Sequence, residues 1–347
     1  MSYPSLREIE VSRGVAILGV LMIHVTAQAL MDTPIESRTY AIYAALNRGG
    51  HFSVPTFIFL SGLVLFYRYF EEWQNDQIFA FYRKRLKYVF IPYVFWSTFY
   101  FFFNHAFEPN GNGSLRAYLM DLLTGRAEYH LYYIILIIQY YLLLPVLFAL
   151  LKRVNLHYSL LIIGSVAIQA LIGLLNHQYH WIENESIVFT TYLEAFVVGC
   201  IAGKNYQAVS TWIRTYSPWL LSSALLFMLL HLIIAELELA GHPIHAAIKE
   251  IVVHLYSILA ALAAIYIGAL TWPKSSTLLS AYGKCSLGIY FMHPALLFLA
   301  KQYMQFPYSS ALYHPSIGIR LLIILTVPLG LVIACKRVKW AWLIFGK

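Results

Sequence analysis

Residues 13–31 read RGVAILGVLMIHVTAQALM, an arginine followed by an apolar run that only His24, Thr26 and Gln28 interrupt. A helix crosses the hydrocarbon core with about 20 mostly apolar residues, so this stretch reads as a membrane span with a cation at one mouth. Similar stretches follow at 50–67, 89–107, 131–151, 158–175, 187–203, 215–235, 249–271, 286–303 and 318–335. The runs are continuous rather than alternating, which excludes the strands of a transmembrane barrel. Composition agrees, with 60% hydrophobic and 12% charged residues, where soluble domains carry about 25% charge. A soluble enzyme this apolar would expose a very large greasy surface. The expected fold is an all-α integral membrane bundle of about ten transmembrane helices. It is read as one domain over residues 1–347 with no appended soluble domain. The stretches 68–88 and 108–130 are expected to be loops, and 272–285 an amphipathic helix before the ninth span.

Ala27-Gln28-Ala29 resembles a signal-peptide cleavage site. Glu8 and Glu10 in place of a basic leader, and His24 inside the apolar region, argue against cleavage. Orientation follows from lysine and arginine in alternate loops. One side collects Arg7, Arg13, Arg68, Arg83, Lys84, Arg85, Lys87, Lys152, Arg153, Lys204, Arg214, Lys274, Lys284 and the tail from Lys336. The other has Arg38, Arg48, Arg116, Arg126, Lys249, Lys301 and Arg320. Both termini are therefore expected in the cytoplasm. The net charge of +8 is topological, which leaves nucleic-acid binding without support. Cys200, Cys285 and Cys335 fall near cytoplasmic ends, where thiols stay reduced, and read as packing residues.

Ionisable groups inside spans are expensive and mark function by default. Arg13 and His24 are eleven residues apart, about three helical turns, so they share one face about 16 Å apart along the axis. The face suits general-base chemistry, since imidazole takes and returns protons near neutral pH. An interfacial anchor plus a helix–helix hydrogen bond would place the same residues there. Arg83-Lys84-Arg85-Leu86-Lys87, ahead of Ile91-Pro92-Tyr93, is either a positive-inside signal that attracts anionic lipid or a clamp for a phosphorylated donor. Gln139, Glu194, His254 and His293 are further polar residues within spans. Neither His177-x-x-His180 nor His242-x-x-His245 has an acidic or cysteine partner at diagnostic spacing, so no metal is expected.

Five segments, taken in order, resemble acyltransferase family 3. They are Arg13-x10-His24, Val54-Pro55-Thr56-Phe57-Ile58-Phe59-Leu60-Ser61-Gly62, the basic cluster before Ile91-Pro92-Tyr93, Tyr129-His130-Leu131-Tyr132-Tyr133, and Ser286-Leu287-Gly288-Ile289-Tyr290-Phe291-Met292-His293-Pro294. The overall tone is similar to the branch containing the intercellular-adhesin C protein. The resemblance implies a multi-pass protein of the bacterial inner membrane that moves an acyl group, usually acetyl, from cytosolic acyl-CoA to a glycan hydroxyl on the outer side. It implies His24 as the essential histidine and Arg13 as its paired arginine. Glu194 and His293 are further catalytic candidates. The family's span-three motif is two arginines three apart; here that pair is missing, and Arg85 with Lys87, beside Arg83, are the substitutes for holding the donor. Membrane lipid, acyl-CoA, a glycan acceptor and the polysaccharide synthesis machinery are the implied partners. A transporter of polysaccharide or a lipid-linked intermediate is the main alternative, since buried Glu194, His254 and His293 also suit a proton-coupled carrier. A structural subunit of a glycan synthase would leave those buried groups superfluous.

Overall fold

The computed structural model describes residues 6–74, 76–107, 113–154, 157–270 and 276–346, and every regular element among them is helical. In chain order the α-helices are α1 (Arg7–Asp32), α2 (Arg38–Gly49), α3 (Ser53–Tyr69), α4 (Gln77–Arg85), α5 (Ile91–Phe107), α6 (Leu115–Thr124), α7 (Tyr132–Arg153), α8 (Tyr158–Tyr179), α9 (Leu193–Lys204), α10 (Tyr206–Thr215), α11 (Ser217–Leu239), α12 (Ala246–Leu270), α13 (Ser276–Tyr303), α14 (Tyr313–Cys335) and α15 (Ala341–Phe345). Nine helical runs among the described residues are long and apolar enough to cross a membrane. The pairs α2–α3 and α4–α5 each count as one run. The protein is a multi-pass membrane bundle. Its contacts divide it into two compact units, residues 1–61 with 205–333 and residues 62–204 with 334–347.

In the first unit α1 is held by backbone contact. A Cβ at Gly283 on α13 would stand 1.7 Å from the carbonyl oxygen of Glu10, and one at Gly14 would stand 2.1 Å from that of Leu279. Gly268 brings α12 against Glu8, where a Cβ would stand 2.6 Å from the carbonyl oxygen. Small residues allow such approach where lipid gives helices no hydrophobic reason to associate. The acidic first turn of α1 has partners too. Tyr206 donates to Glu8 at 2.5 Å, Ser280 donates to Glu10 at 3.0 Å, and Lys284 lies 3.3 Å from Glu10. These bonds, with the positive end of the helix dipole, account for the two carboxylates at the start of α1.

The second span, expected at 50–67, is α3, and a further helix, α2, precedes it. Helix α2 folds back along α1, where Asn47 donates to the carbonyl of Ile23 at 2.8 Å and to Thr26 at 3.1 Å. The chain then breaks at residues 50–52 before α3 begins. A Cβ at Gly50 would lie 2.8 Å from the carbonyl of Gly19, so the break sits against the middle of α1. Its polar groups are satisfied locally: Ser53 bonds back to Gly50 through both N–H and hydroxyl, and Tyr256 donates to Gly49. Irregular backbone at membrane depth is tolerated on those terms.

In the second unit the stretch read as a loop, 68–88, is largely helix. Helix α4 passes through a π-helical turn, Leu86–Phe90, directly into α5. Pro92 gives the reason. It has no N–H to return to Tyr88, and its ring crowds that carbonyl; the wider turn, with Ile91 N–H bonded to Leu86, relieves both. The sixth span, expected at 187–203, is not one α-helix. It opens with two 3-10 turns, Glu185–Ile187 and Phe189–Tyr192, and only then becomes α9. Gln139 on α7 donates to Ile187 at 2.6 Å and accepts from Phe189 N–H at 3.1 Å, while Tyr140 donates to Phe189 carbonyl at 2.5 Å. These side chains replace the intrahelical bonds. Gly62 on α3 and Gly203 on α9 bring those helices backbone to backbone. In the expected amphipathic helix 272–285, the part from Ser276 is the start of α13; 272–275 lies outside the described residues.

Candidate active site

The first unit places His24 and His293 together. Their rings stack with centroids 5.1 Å apart and planes inclined by 29°. His24 is half-buried and His293 fully buried. The carbonyl of Tyr290 can only accept, so His293 Nδ1, 2.8 Å away, carries the proton of that bond. This fixes the ring on α13 and leaves its face to His24. The glycine contacts hold together α1 and α13, the two helices that carry the imidazoles. Arg13 lies half-buried on α1, eleven residues and about 16 Å before His24.

Beyond His24, the α1 face continues with Gln28 and Asp32 at successive four-residue steps. Both line a cavity of about 460 Å³ together with Lys301 and Gln302 of α13 and Tyr313 and Arg320 of α14. Lys301 is within electrostatic reach of His24, and also of Arg320 and Asp32. Tyr313 donates to Asp32 at 2.8 Å. Arg320 is 4% exposed; one terminal nitrogen donates to the Met304 carbonyl, while its buried Nε meets no acceptor. Lys301 and Arg320 count in the sequence among the charges of one membrane side, and both fall within the spans expected there. They lie inside α13 and α14.

The other predicted residues sit elsewhere. His254 on α12 bonds Glu250 one turn away at 3.1 Å, a local pair. Gln139 is the backbone clamp described above. Glu194, 3% exposed on the first turn of α9, belongs to the second unit and lies in the electrostatic range of Tyr140. The basic cluster is also in the second unit. Arg83 and Lys84 are exposed. Arg85 lies over the rings of Phe81 and Tyr141, at 4.9 and 4.7 Å, with its Nε buried and without an acceptor. Lys87 lies 4.7 Å from the Trp342 ring on α15. The two cations nearest the π turn are thus positioned on aromatic platforms, which a mere surface charge signal does not require.

Sequence reasoning missed Gln28, Asp32 and Lys301. The signal was present: Gln28 and Asp32 follow His24 at helical spacing, and Lys301 follows His293 by two turns.

The sequence profile of the acyltransferase domain family, the third of that name, matches residues 6–335. No curated protein and no solved structure matches the chain.

Proposed function

Because the chain belongs to acyltransferase family 3, we propose that it carries an acyl group, acetyl being the usual one, from cytosolic acyl-CoA to a hydroxyl of an exported or cell-surface polysaccharide, in the bacterial inner membrane. The observation that carries this reading is the stacked His24–His293 pair on the face that begins at Arg13. His24 takes the proton of the acceptor hydroxyl as its oxygen attacks the thioester carbonyl. The new C–O ester bond forms, the C–S bond breaks, and the proton returns to the departing thiolate to give free CoA. Catalysis of this kind typically contributes about 10²–10⁴-fold. His293 keeps the His24 ring oriented through its own bond to Tyr290. Arg13 pairs with the donor or with the charge that develops during transfer. Arg83, Arg85 and Lys87 hold donor phosphates, a task suited to guanidinium and ammonium groups.

The test is transfer of label. Full-length protein in vesicles, given acyl-labelled CoA and a glycan, should produce labelled ester that hydroxylamine releases. Vesicles that accumulate glycan without forming ester would replace this reading with transport.

A further inference from the structure

The cavity past His24 has a charge pattern that a neutral sugar does not explain. Two cations, Lys301 and Arg320, face one carboxylate, Asp32, which already accepts from Tyr313. Neither cation forms an ion pair among the described residues. A buried donor without an acceptor is costly, and Arg320, a wall residue of the cavity, keeps such a donor in its Nε. Gln28 and Gln302 add amides that both donate and accept, the groups that recognise hydroxyls. The volume of about 460 Å³ lies in the range of small-molecule sites. Gln28 stands one helical turn, about 6 Å, from His24.

We infer that this cavity is an acceptor subsite selecting glycans that bear an anionic group, which Lys301 and Arg320 hold while a neighbouring hydroxyl reaches His24. The inference rests on the acyl-transfer reading for its consequence, but not for binding. The anion is either the carboxylate of an acidic sugar or a phosphate ester on the glycan; both offer oxygens to the same two cations. Lys301 and Arg320 act on acceptor choice. The acyl chemistry stays at His24.

Full-length protein in vesicles is offered acetyl-labelled CoA with three tetrasaccharides of equal length: neutral, uronate-containing and phosphate-bearing. Wild type should favour at least one anionic acceptor by about tenfold in kcat/KM, the size of one charge-assisted contact, and the better of the two identifies the anion. Lys301→Gln should erase most of that preference through the acceptor KM, Lys301→Arg should keep it, and Lys301→Glu should shift preference toward a glycan carrying a free amine. Arg320 anchors Met304, so Arg320→Lys serves there, with elution as a folded monodisperse species as its control. Equal rates on all three acceptors in wild type, or an equal loss on all three in Lys301→Gln, would overturn the inference. Calorimetric binding of the anionic tetrasaccharides without donor separates the two readings. Binding that needs Lys301 but leads to no ester keeps the subsite and overturns acyl transfer. Ester formation without such binding overturns the subsite alone, and absence of both overturns both.

Discussion

Replacing His24 by asparagine keeps a hydrogen-bonding side chain between α1 and α13 but removes the nitrogen that takes a proton. Loss of acyl transfer by about 10²-fold or more, with protein still inserted and monodisperse, is the expected result. Near-normal turnover would reduce His24 to a packing residue. His293→Phe keeps a ring against His24 and removes the donor to Tyr290; turnover should fall less than for His24→Asn while donor KM holds. Neutralising Arg85 and Lys87 should instead raise the KM for acyl-CoA more than it lowers kcat, because contacts to the donor head group are equal in ground and transition states. An unchanged donor KM with collapsed turnover would remove them from donor binding. The Arg13–His24 face was legible from spacing alone. The stacking of His24 on His293 was not, because two helices far apart in sequence must first meet, and periodicity within one helix says nothing of its neighbour.

Helix contact sets that meeting. At Gly283 the clashing atom is a backbone carbonyl, which cannot swing aside as a side-chain end would. Gly283→Leu should therefore separate α1 from α13, cost about 1–3 kcal/mol as overpacking does, and lower turnover beyond what the fall in stability explains, since the imidazoles ride on these two helices. Gly164→Ala on α8, where a Cβ meets nothing within 4 Å, is the control and should be neutral or stabilising. Thermal unfolding in detergent and labelled transfer read both effects; equal behaviour of the two variants would deny the close approach its importance. The existence of most spans was legible because twenty apolar residues leave little alternative. The irregular pieces were harder. Pro92 announces the π turn, and Gly49-Gly50 the break beside α1, only once a neighbouring backbone supplies the constraint. The 3-10 turns before α9 depend on Gln139 and Tyr140, side chains from another helix.

Those turns decide the topology of the whole chain. The nine long runs among the described residues would by themselves place the two termini on opposite sides, whereas the distribution of lysine and arginine favours the same side. Residues 185–204 reconcile the two if they cross. The stretch combines 3-10 turns, at about 2.0 Å per residue, with α9, at about 1.5 Å per residue, and so reaches roughly 30 Å, the thickness of the hydrocarbon core. Its clamp by Gln139 and Tyr140 satisfies the backbone that a 3-10 entrance would otherwise expose to lipid. Reporters fused before Arg7 and after Phe345 should therefore both report the cytoplasm. Reporters at Gln74 and Ser114, on either side of the α4–α5 run, should report cytoplasm and exterior. Cysteine labelling from each side of sealed vesicles checks the same points without a fusion. Opposite compartments for the two termini would mean that 185–204 enters and leaves on one face. Lys204, Arg214 and every later positive charge used for orientation would then change sides, and the positive-inside pattern would fail for the second half of the chain.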